Sequence, residues 1–519
     1  MKYKLLLLFI VPFCLHAELK VIYSDLRQQT ESDTGTIRLL LHNFGKTAEK
    51  VTLVKAGDIV LPVYNVVAQK HDPVMLKKLS RFDRAKLTMG HTMIYWAKLD
   101  KNPIKPGEQV WLRIKRKNKS NTSTKISVFL NGKENPLVQT IDLSKVPLKI
   151  SAVRYKKKSS ELLIFIENST AKEETVKALF INSEREKNIK SEVLGANMKT
   201  CLVFKSIKKR KHGDRMTFYL TTKSGKTAAD LTTLVLGFPI NVEFGKAPEG
   251  YGFDPEPYAW KLEDKDGKIR EAELVKGVAT KSIQAHDCPA HSLDRSFQKN
   301  AYFNFDLETK LLAMSIQQPY SSHICRTNIA ETIVALSETV PIIRFNPNIK
   351  ENDIRLNPIK ITRHAVQNAA PNTVHAVFAL QLIDGKRYVT RDELRNLVYT
   401  ALANGSRGIF FRYSSDAISK DLKQGLKELI EELTALKPYL EFMDIDPVIQ
   451  YKEKDLKIFQ LTGYKLKMII AVNYGKEKSH KLEKENAYVY KRFSAGKFHD
   501  VEQAFVLKTG INIILRETK

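Results

Sequence analysis

Residues 375–416 read HAVFALQLIDGKRYVTRDELRNLVYTALANGSRGIFFRYSSD, and this stretch decides the fold. It follows Val374 in an apolar run over 374–382, long enough for a buried strand. Thr390 and Glu393 stand at capping-box spacing, so a helix is predicted over 391–404. Leu394, Leu397, Val398, Ala401 and Leu402 recur every three or four residues and give that helix one apolar face. Gly405 supplies a left-handed stop, and the aromatic run that follows, 408–414, is the next strand. A strand, a crossover helix and a second strand make a parallel β-α-β unit.

The same alternation extends upstream to about residue 237. Strands are expected over 240–244, 282–286, 322–326 and 341–346, and a last helix over 416–436 that Pro438 ends. Before residue 237 the chain reads as all β. Runs over 19–22, 36–42, 51–54, 59–66, 92–98, 109–115 and 126–130 are punctuated by turns such as Asn43-Phe44-Gly45 and Asn131-Gly132, the pattern of a β-sandwich. A second sandwich follows: 162–168, a polar turn and 175–179 repeat the order of 39–43, a turn and 51–53. After residue 445 the strands 448–451, 456–460, 466–472, 487–490 and 511–515 return the chain to β, with a turn at Asn473-Tyr474-Gly475. The expected class is multidomain α/β plus all-β. Its divisions are a leader over 1–17, sandwiches over 18–145 and 146–236, an α/β unit over 237–445 and a small β-sheet domain over 446–519.

The segment 375–440, with Thr400-Ala401-Leu402-Ala403-Asn404-Gly405-Ser406-Arg407-Gly408-Ile409-Phe410-Phe411 at its centre, resembles the last two βα units of glycoside-hydrolase-like (β/α)8 barrels. The likeness is to the β-galactosidase-like group, where a helix ending in Ala-x-Gly-Ala-x-Gly leads into an aromatic final strand. Ile469-Ile470-Ala471-Val472-Asn473 is similar to the small sheet that follows such barrels, and the two sandwiches match their accessory modules. The resemblance implies a TIM-like barrel over 237–445, trimmed, because about 200 residues is the lower limit for eight units. It implies a protein acting on or binding polysaccharide. The alternative is a non-catalytic carbohydrate-binding or envelope protein that keeps a degenerate barrel as scaffold.

In such a barrel the site lies at the C-terminal ends of the strands. Those ends carry His286, Asp287, Cys288, Arg326, Asn346, Gln381, Arg412 and, just beyond, Asp416. Asp287 and Asp416 are the candidate catalytic pair, one acid and one base or nucleophile. His286, Arg326, Asn346, Gln381 and Arg412 are the candidate substrate-binding residues. Gln381 stands at or beside the place where retaining members of the group carry a nucleophilic glutamate; an amide binds a hydroxyl but is no nucleophile. Each residue has a structural reading too. Asp416 fits a helix cap, Asp287 a turn before Pro289, His286 a core position, and the two arginines fit barrel ion pairs. Tyr95-Trp96 and Trp111 would serve as a sugar platform or as core, and strand alternation favours core.

The formal charge of +28 on 519 residues is spread in short runs such as 113–117 and 208–211. Such runs fit lysine-guarded strand edges, or attraction to an anionic polysaccharide. No nucleic-acid motif accompanies them. There is no CxxC, HExxH or glycine-rich phosphate loop, so no metal or cofactor is expected. No run of about 18 apolar residues follows the leader, so no transmembrane segment is expected in the mature chain. Lys2 and Lys4, an apolar run over 5–13 and Leu15-His16-Ala17 form the three parts of a cleavable signal peptide. A periplasmic, cell-surface or extracellular location is therefore expected. Cleavage leaves Cys201, Cys288 and Cys325. The last two end consecutive strand candidates and are expected to bridge, leaving Cys201 free. N-terminal sequencing of the exported protein is expected to start near Glu18; a soluble product that retains Met1 overturns the export reading.

Overall fold

The computed structural model describes residues 19–243 apart from 29–33, 58, 66–69, 72–95, 118–122, 134, 143–145, 187–191, 207, 211–213, 235 and 239. It then describes 259–263, 269–275, 278–279, 321–324, 340–345, 366, 370–371, 373–379 and 387–518, the last apart from 413–417, 446–450, 453–455, 482–487 and 502–503.

The first unit holds β1 (Leu19–Gln28), β2 (Thr34–Asn43), β3 (Val51–Ala56), β4 (Ile59–Asn65), β5 (Lys70–His71), β6 (Trp96–Leu99), β7 (Gln109–Lys117), β8 (Ser123–Leu130) and β9 (Leu137–Asp142). They join in the order β1-β2-β7-β6-β4-β3-β8-β9, with β5 beside β4. Ile37, Leu39, Leu41, Leu112, Ile114, Val54 and Ile126 fill the core. The second unit is two facing antiparallel sheets. Its strands are β10 (Leu148–Lys156), β11 (Glu161–Asn168), β12 (Glu174–Ile181), β13 (Glu184–Arg185), β14 (Val193–Leu194), β15 (Met198–Lys205), β16 (Arg215–Thr222) and β17 (Thr227–Thr233). The sheets run β10-β11-β15 and β13-β12-β16-β17, with β14 beside β12. Buried Arg38 of β2 ties the two units. It pairs with Asp25 of β1, reaches Asp230 of β17 at 2.7 Å, and lies 5.1 Å over the Trp111 ring.

The third unit begins with β18 (Ile240–Glu243), followed by the antiparallel β19 (Ala259–Glu263), β20 (Ile269–Val275) and β21 (Val278–Ala279). Then come β22 (Ser321–Ile324), β23 (Val340–Phe345), β24 (Val374–Ala379), α1 (Arg391–Ala403), β25 (Ser406–Arg412) and α2 (Lys420–Leu440). Five of the strands form one parallel sheet, β18-β25-β24-β23-β22. The first strand therefore lies beside the last, and the other neighbours follow chain order. The strand expected over 282–286 lies outside the described residues.

Helix α1 forms as its sequence dictates: Thr390 and Glu393 close the capping box, and the five apolar-face residues are buried. Gly405 adopts φ +109° beside Val366, where a Cβ would come within 2.8 Å of a Val366 methyl. Helix α2 departs from expectation at both ends. Ser419, not Asp416, is its N-cap, and Pro438 lies inside it. A proline in the last turn removes one hydrogen bond, and Glu441 N–H restores the ladder by donating to Lys437 O at 3.0 Å. Arg391 pairs with Glu428, and Arg395 with Glu432 at 2.6 Å. Both pairs step four residues in the same sense along the two helices, so α1 and α2 run parallel, as successive crossovers of a parallel sheet do.

The C-terminal strands are β26 (Asp444–Ile445), β27 (Tyr451–Lys452), β28 (Leu456–Gly463), β29 (Leu466–Asn473), β30 (Lys478–Lys481), β31 (Tyr488–Ser494), β32 (Lys497–Asp500), β33 (Ala504–Leu507) and β34 (Gly510–Thr518). The main sheet runs β26-β28-β29-β34-β31-β32, with β27 beside β28, and β30 pairs β33. Phe459, Leu461, Met468, Ile470, Val472, Ile513 and Leu515 share one core with α1, α2 and the parallel sheet.

One local device recurs in all three β regions. An unalternating apolar strand is buried on both faces and ends in a buried asparagine. In β2, Leu39 and Leu41 face the first core while Leu40 packs with Trp111 against the second unit. In β11, Leu162 and Ile164 face the second core while Leu163 and Phe165 pack with Phe442. In β29, Met468 and Ile470 face the helices while Ile469 and Ala471 face the terminal strands. The asparagines then hold the corners. Asn43 Nδ2 donates to the carbonyls of Thr47 (2.7 Å) and Ile104 (2.9 Å), and its Oδ1 accepts from Gly45 N–H. Asn168 binds Lys172 O and Leu194 O and accepts from Thr170 N–H. Asn473 binds Lys476 O and Leu507 O and accepts from Gly475 N–H. Replacing Asn168 by Ala leaves three backbone groups of the corner without this partner, and is expected to cost roughly 2–4 kcal/mol, read as a lowered denaturant midpoint. An unchanged midpoint would show that the corner does not depend on the amide.

Candidate functional site

In a parallel sheet every C-terminal strand end emerges at the same end of the sheet. Here those ends are Glu243, Ile324, Phe345, Ala379 and Arg412. Arg412 is in register with Glu243 on one side and Ala379 on the other. Phe345 is in register with Phe378, and Ile324 with Ile343. Arg326 follows the end of β22 by two residues, Asn346 follows β23 by one, and Gln381 follows β24 by two. Of the sequence-derived site residues, Arg412 lies in a described strand. His286, Asp287, Arg326, Asn346, Gln381 and Asp416 lie outside the described residues, as do Cys288, Cys325 and Tyr95.

The two faces of the sheet have different roles. Ile240, Ala376, Phe378, Ile409 and Phe411 are buried in the core made with α1 and α2. By the two-residue repeat of a strand, Glu243, Ala379 and Arg412 occupy positions on the opposite face. Glu243 is a carboxylate position that sequence reasoning missed. The strand over 240–244 was legible, but nothing within it tells that its last described residue stands level with Arg412. The cap reading of Asp416 is corrected, because Ser419 Oγ accepts the Leu422 N–H at the start of α2. Trp111 is 1% exposed between the first two units and offers no sugar platform.

The second sandwich lies beside the N-terminal end of β25. Phe442, just past α2, packs against Ala152, Leu163 and Phe165 on the outer face of β10-β11-β15. Beside it the Asp444 carboxylate accepts from Lys199 Nζ at 2.5 Å and Ser151 Oγ at 2.8 Å, with Arg154 Nη2 at 3.8 Å. Lys199 also donates to Ile445 O. Arg407, the second residue of β25, donates to the carbonyls of Met443 (3.0 Å) and Ser406 (2.8 Å). Burial works against the Asp444 charge, but Lys199, Arg154 and Arg407 together hold its pKa down at about 2. Burial, with Arg154 adding to it, pulls Arg407 down to about 9. Cys201 is a free thiol on the same sheet, pushed up to about 12 by burial and by Asp444, which removes its thiolate reactivity at neutral pH.

Among the described residues no three His, Cys, Asp or Glu side chains are grouped to hold a metal ion. Among them, too, no helix is long and apolar enough to cross a membrane. No family model and no curated protein sequence matches the chain. Solved structures similar to it are glycoside hydrolases. A Bacteroides fragilis protein named as a candidate alpha-galactosidase is 10% identical, with 73% of this chain and 100% of that one covered and a TM-score of 0.34. A GH30 endoxylanase of Clostridium papyrosolvens is 9% identical over 50% of this chain and 76% of its own, TM-score 0.28. An Anoxybacillus alpha-amylase is 14% identical over 43% of this chain, TM-score 0.24, and the chain spans 63% of its length.

The Asp444 site generates a pH prediction. Its folded pKa of about 2 lies below the ordinary 3.8, so its contribution is full at neutral pH and is lost as pH falls from about 4 through about 2. That difference corresponds to roughly 2 kcal/mol. Asp444→Asn is expected to lower the melting temperature at pH about 6 and to narrow its gap from the parent as pH falls toward about 2. A gap of constant size across that range would remove the charge from the account.

Proposed function

We propose that the chain is an exported carbohydrate-active protein whose third unit is a closed, glycoside-hydrolase-like (β/α) barrel with a glycan-binding rim. The observation that carries this reading is the pairing of β18 with β25. In a closed parallel barrel each strand neighbours its successor and the first neighbours the last. The described order, β18-β25-β24-β23-β22, fits one arc of such an arrangement. The parallel pair α1 and α2 on one face fits the outer helical layer, and the second sandwich on the N-terminal end leaves the C-terminal end as the working face.

The proposed rim consists of Asp287, Arg326, Gln381, Arg412 and Asp416, joined by Glu243. Arg326 and Arg412 bind carboxylate or sulfate groups of an acidic glycan, and Gln381 orients hydroxyls. In the hydrolytic reading two of the carboxylates divide the work: one protonates the glycosidic oxygen, and the other activates water or attacks the anomeric carbon. In the second reading, favoured by an amide at Gln381, the rim binds glycan without cleaving it.

The test is a binding and hydrolysis screen of acidic and neutral polysaccharides with the full-length mature protein. Arg412→Ala is expected to weaken binding of an acidic glycan about tenfold or more, the loss of a charge-assisted hydrogen bond, while sparing a neutral one. In the hydrolytic reading Asp287→Asn or Asp416→Asn abolishes cleavage and leaves the fold intact. Glycan binding that is indifferent to all three changes, yet lost when residues 18–235 are removed, would place recognition on the sandwiches instead.

A further inference from the structure

Among the described residues, the contact between the second sandwich and the parallel sheet carries more positive charge than its acid neutralises. Arg154, Lys199 and Arg407 are 6%, 7% and 2% exposed, and the one carboxylate they are described as facing is Asp444, itself 4% exposed. Asp444 is already taken. Lys199 and Ser151 bind its Oδ2, and its Oδ1 lies 3.8 Å from Arg154 Nη2, beyond hydrogen-bond distance. Arg154 Nη1 is spent on Val153 O, and Arg407 Nε and Nη1 on Met443 O, Leu402 O and Ser406 O. Among the described residues two cationic N–H groups are left with no acceptor: Arg154 Nε from the sandwich and Arg407 Nη2 from the sheet. A buried, unpaired charged donor costs far more than a surface one. Carbonyl oxygens satisfy geometry but do not cancel a net charge, and neither does water.

We propose that a small monovalent inorganic anion, of the size of chloride, binds in this interior between Arg154 and Arg407. The two residues come from different units of the fold and meet at one short segment: Arg154 lies 3.8 Å from the Asp444 carboxylate, Arg407 donates to the carbonyl of the preceding Met443, and they repel as like charges. An anion accepting from both reverses that repulsion and pins the sandwich to the N-terminal end of the sheet. It lies at the opposite end from Arg412 and is independent of the glycan rim.

Thermal unfolding of the full-length protein tests this, with chloride replacing gluconate at constant ionic strength. Gluconate is too large for a buried two-arginine site. The midpoint is expected to rise steadily with the logarithm of chloride concentration. Arg154→Met is expected to abolish the chloride response. Lys208→Met, which removes an exposed cation paired with Glu184, keeps it. Crystals of the parent grown in bromide are expected to show an anomalous peak within reach of both guanidinium groups, a result that does not depend on any variant folding. Equal midpoints in chloride and gluconate, or bromide-grown crystals with no peak between the two arginines, would overturn the proposal and leave water as the occupant.

Discussion

The buried carboxylate of Asp444 is the interaction on which the arrangement of the units depends. It opens β26, the first strand of the terminal sheet just past α2, yet Ser151 and Lys199 of the second sandwich satisfy it. An uncompensated carboxylate there would cost several kcal/mol, so this contact between the sandwich and the end of α2 favours their observed placement. The choice of partners is directional. Arg407 sits at the N-terminal end of β25 and donates to the carbonyl just before Asp444, so the second sandwich meets the parallel strands at that end. Arg38 performs the same task one step earlier in the chain, joining the first two units through Asp25 and Asp230.

Local signals made part of this legible. The Thr390–Glu393 box, the apolar face of α1 and the Gly405 stop are encoded within one stretch of chain, and they appear in the structure as read. The start of α2 was misread because Asp416 and Ser419 are both good caps three residues apart, and backbone geometry, not residue type, chooses between them. Pro438 was misread because a proline ends a helix only where the lost hydrogen bond and ring clash cannot be absorbed. The unalternating runs in β2, β11 and β29 announce burial on both faces but not what covers the second face. Trp111, Phe442 and the terminal strands supply that, from far away in sequence.

Five of the strands from whose ends the candidate site is built were legible, because strand length and polarity are local; apart from Arg412, the site residues lie outside the described residues. Its cross-strand partners were not. That Glu243 stands level with Arg412 follows from a pairing between the first and last strands of the unit, and register of that kind is set by packing between distant segments. The buried cations around Asp444 were hidden for the same reason. In sequence Arg154 and Lys199 are ordinary members of basic strands, and their burial becomes visible when the outer face of a sandwich acquires a cover.

The recurring corner asparagines give the molecule a particular chemistry of ageing. Asn43, Asn168 and Asn473 are 0%, 1% and 0% exposed, with both ends of each amide engaged. Deamidation of asparagine requires the following backbone nitrogen to attack the side-chain carbonyl, a geometry that a clamped amide denies. Each corner is therefore protected for as long as it stays closed. Once opened long enough to react, it acquires an aspartate that cannot donate to the two carbonyls the amide held, and the corner does not close again. Transient opening is thereby converted into a permanent record at each of the three copies of the same turn.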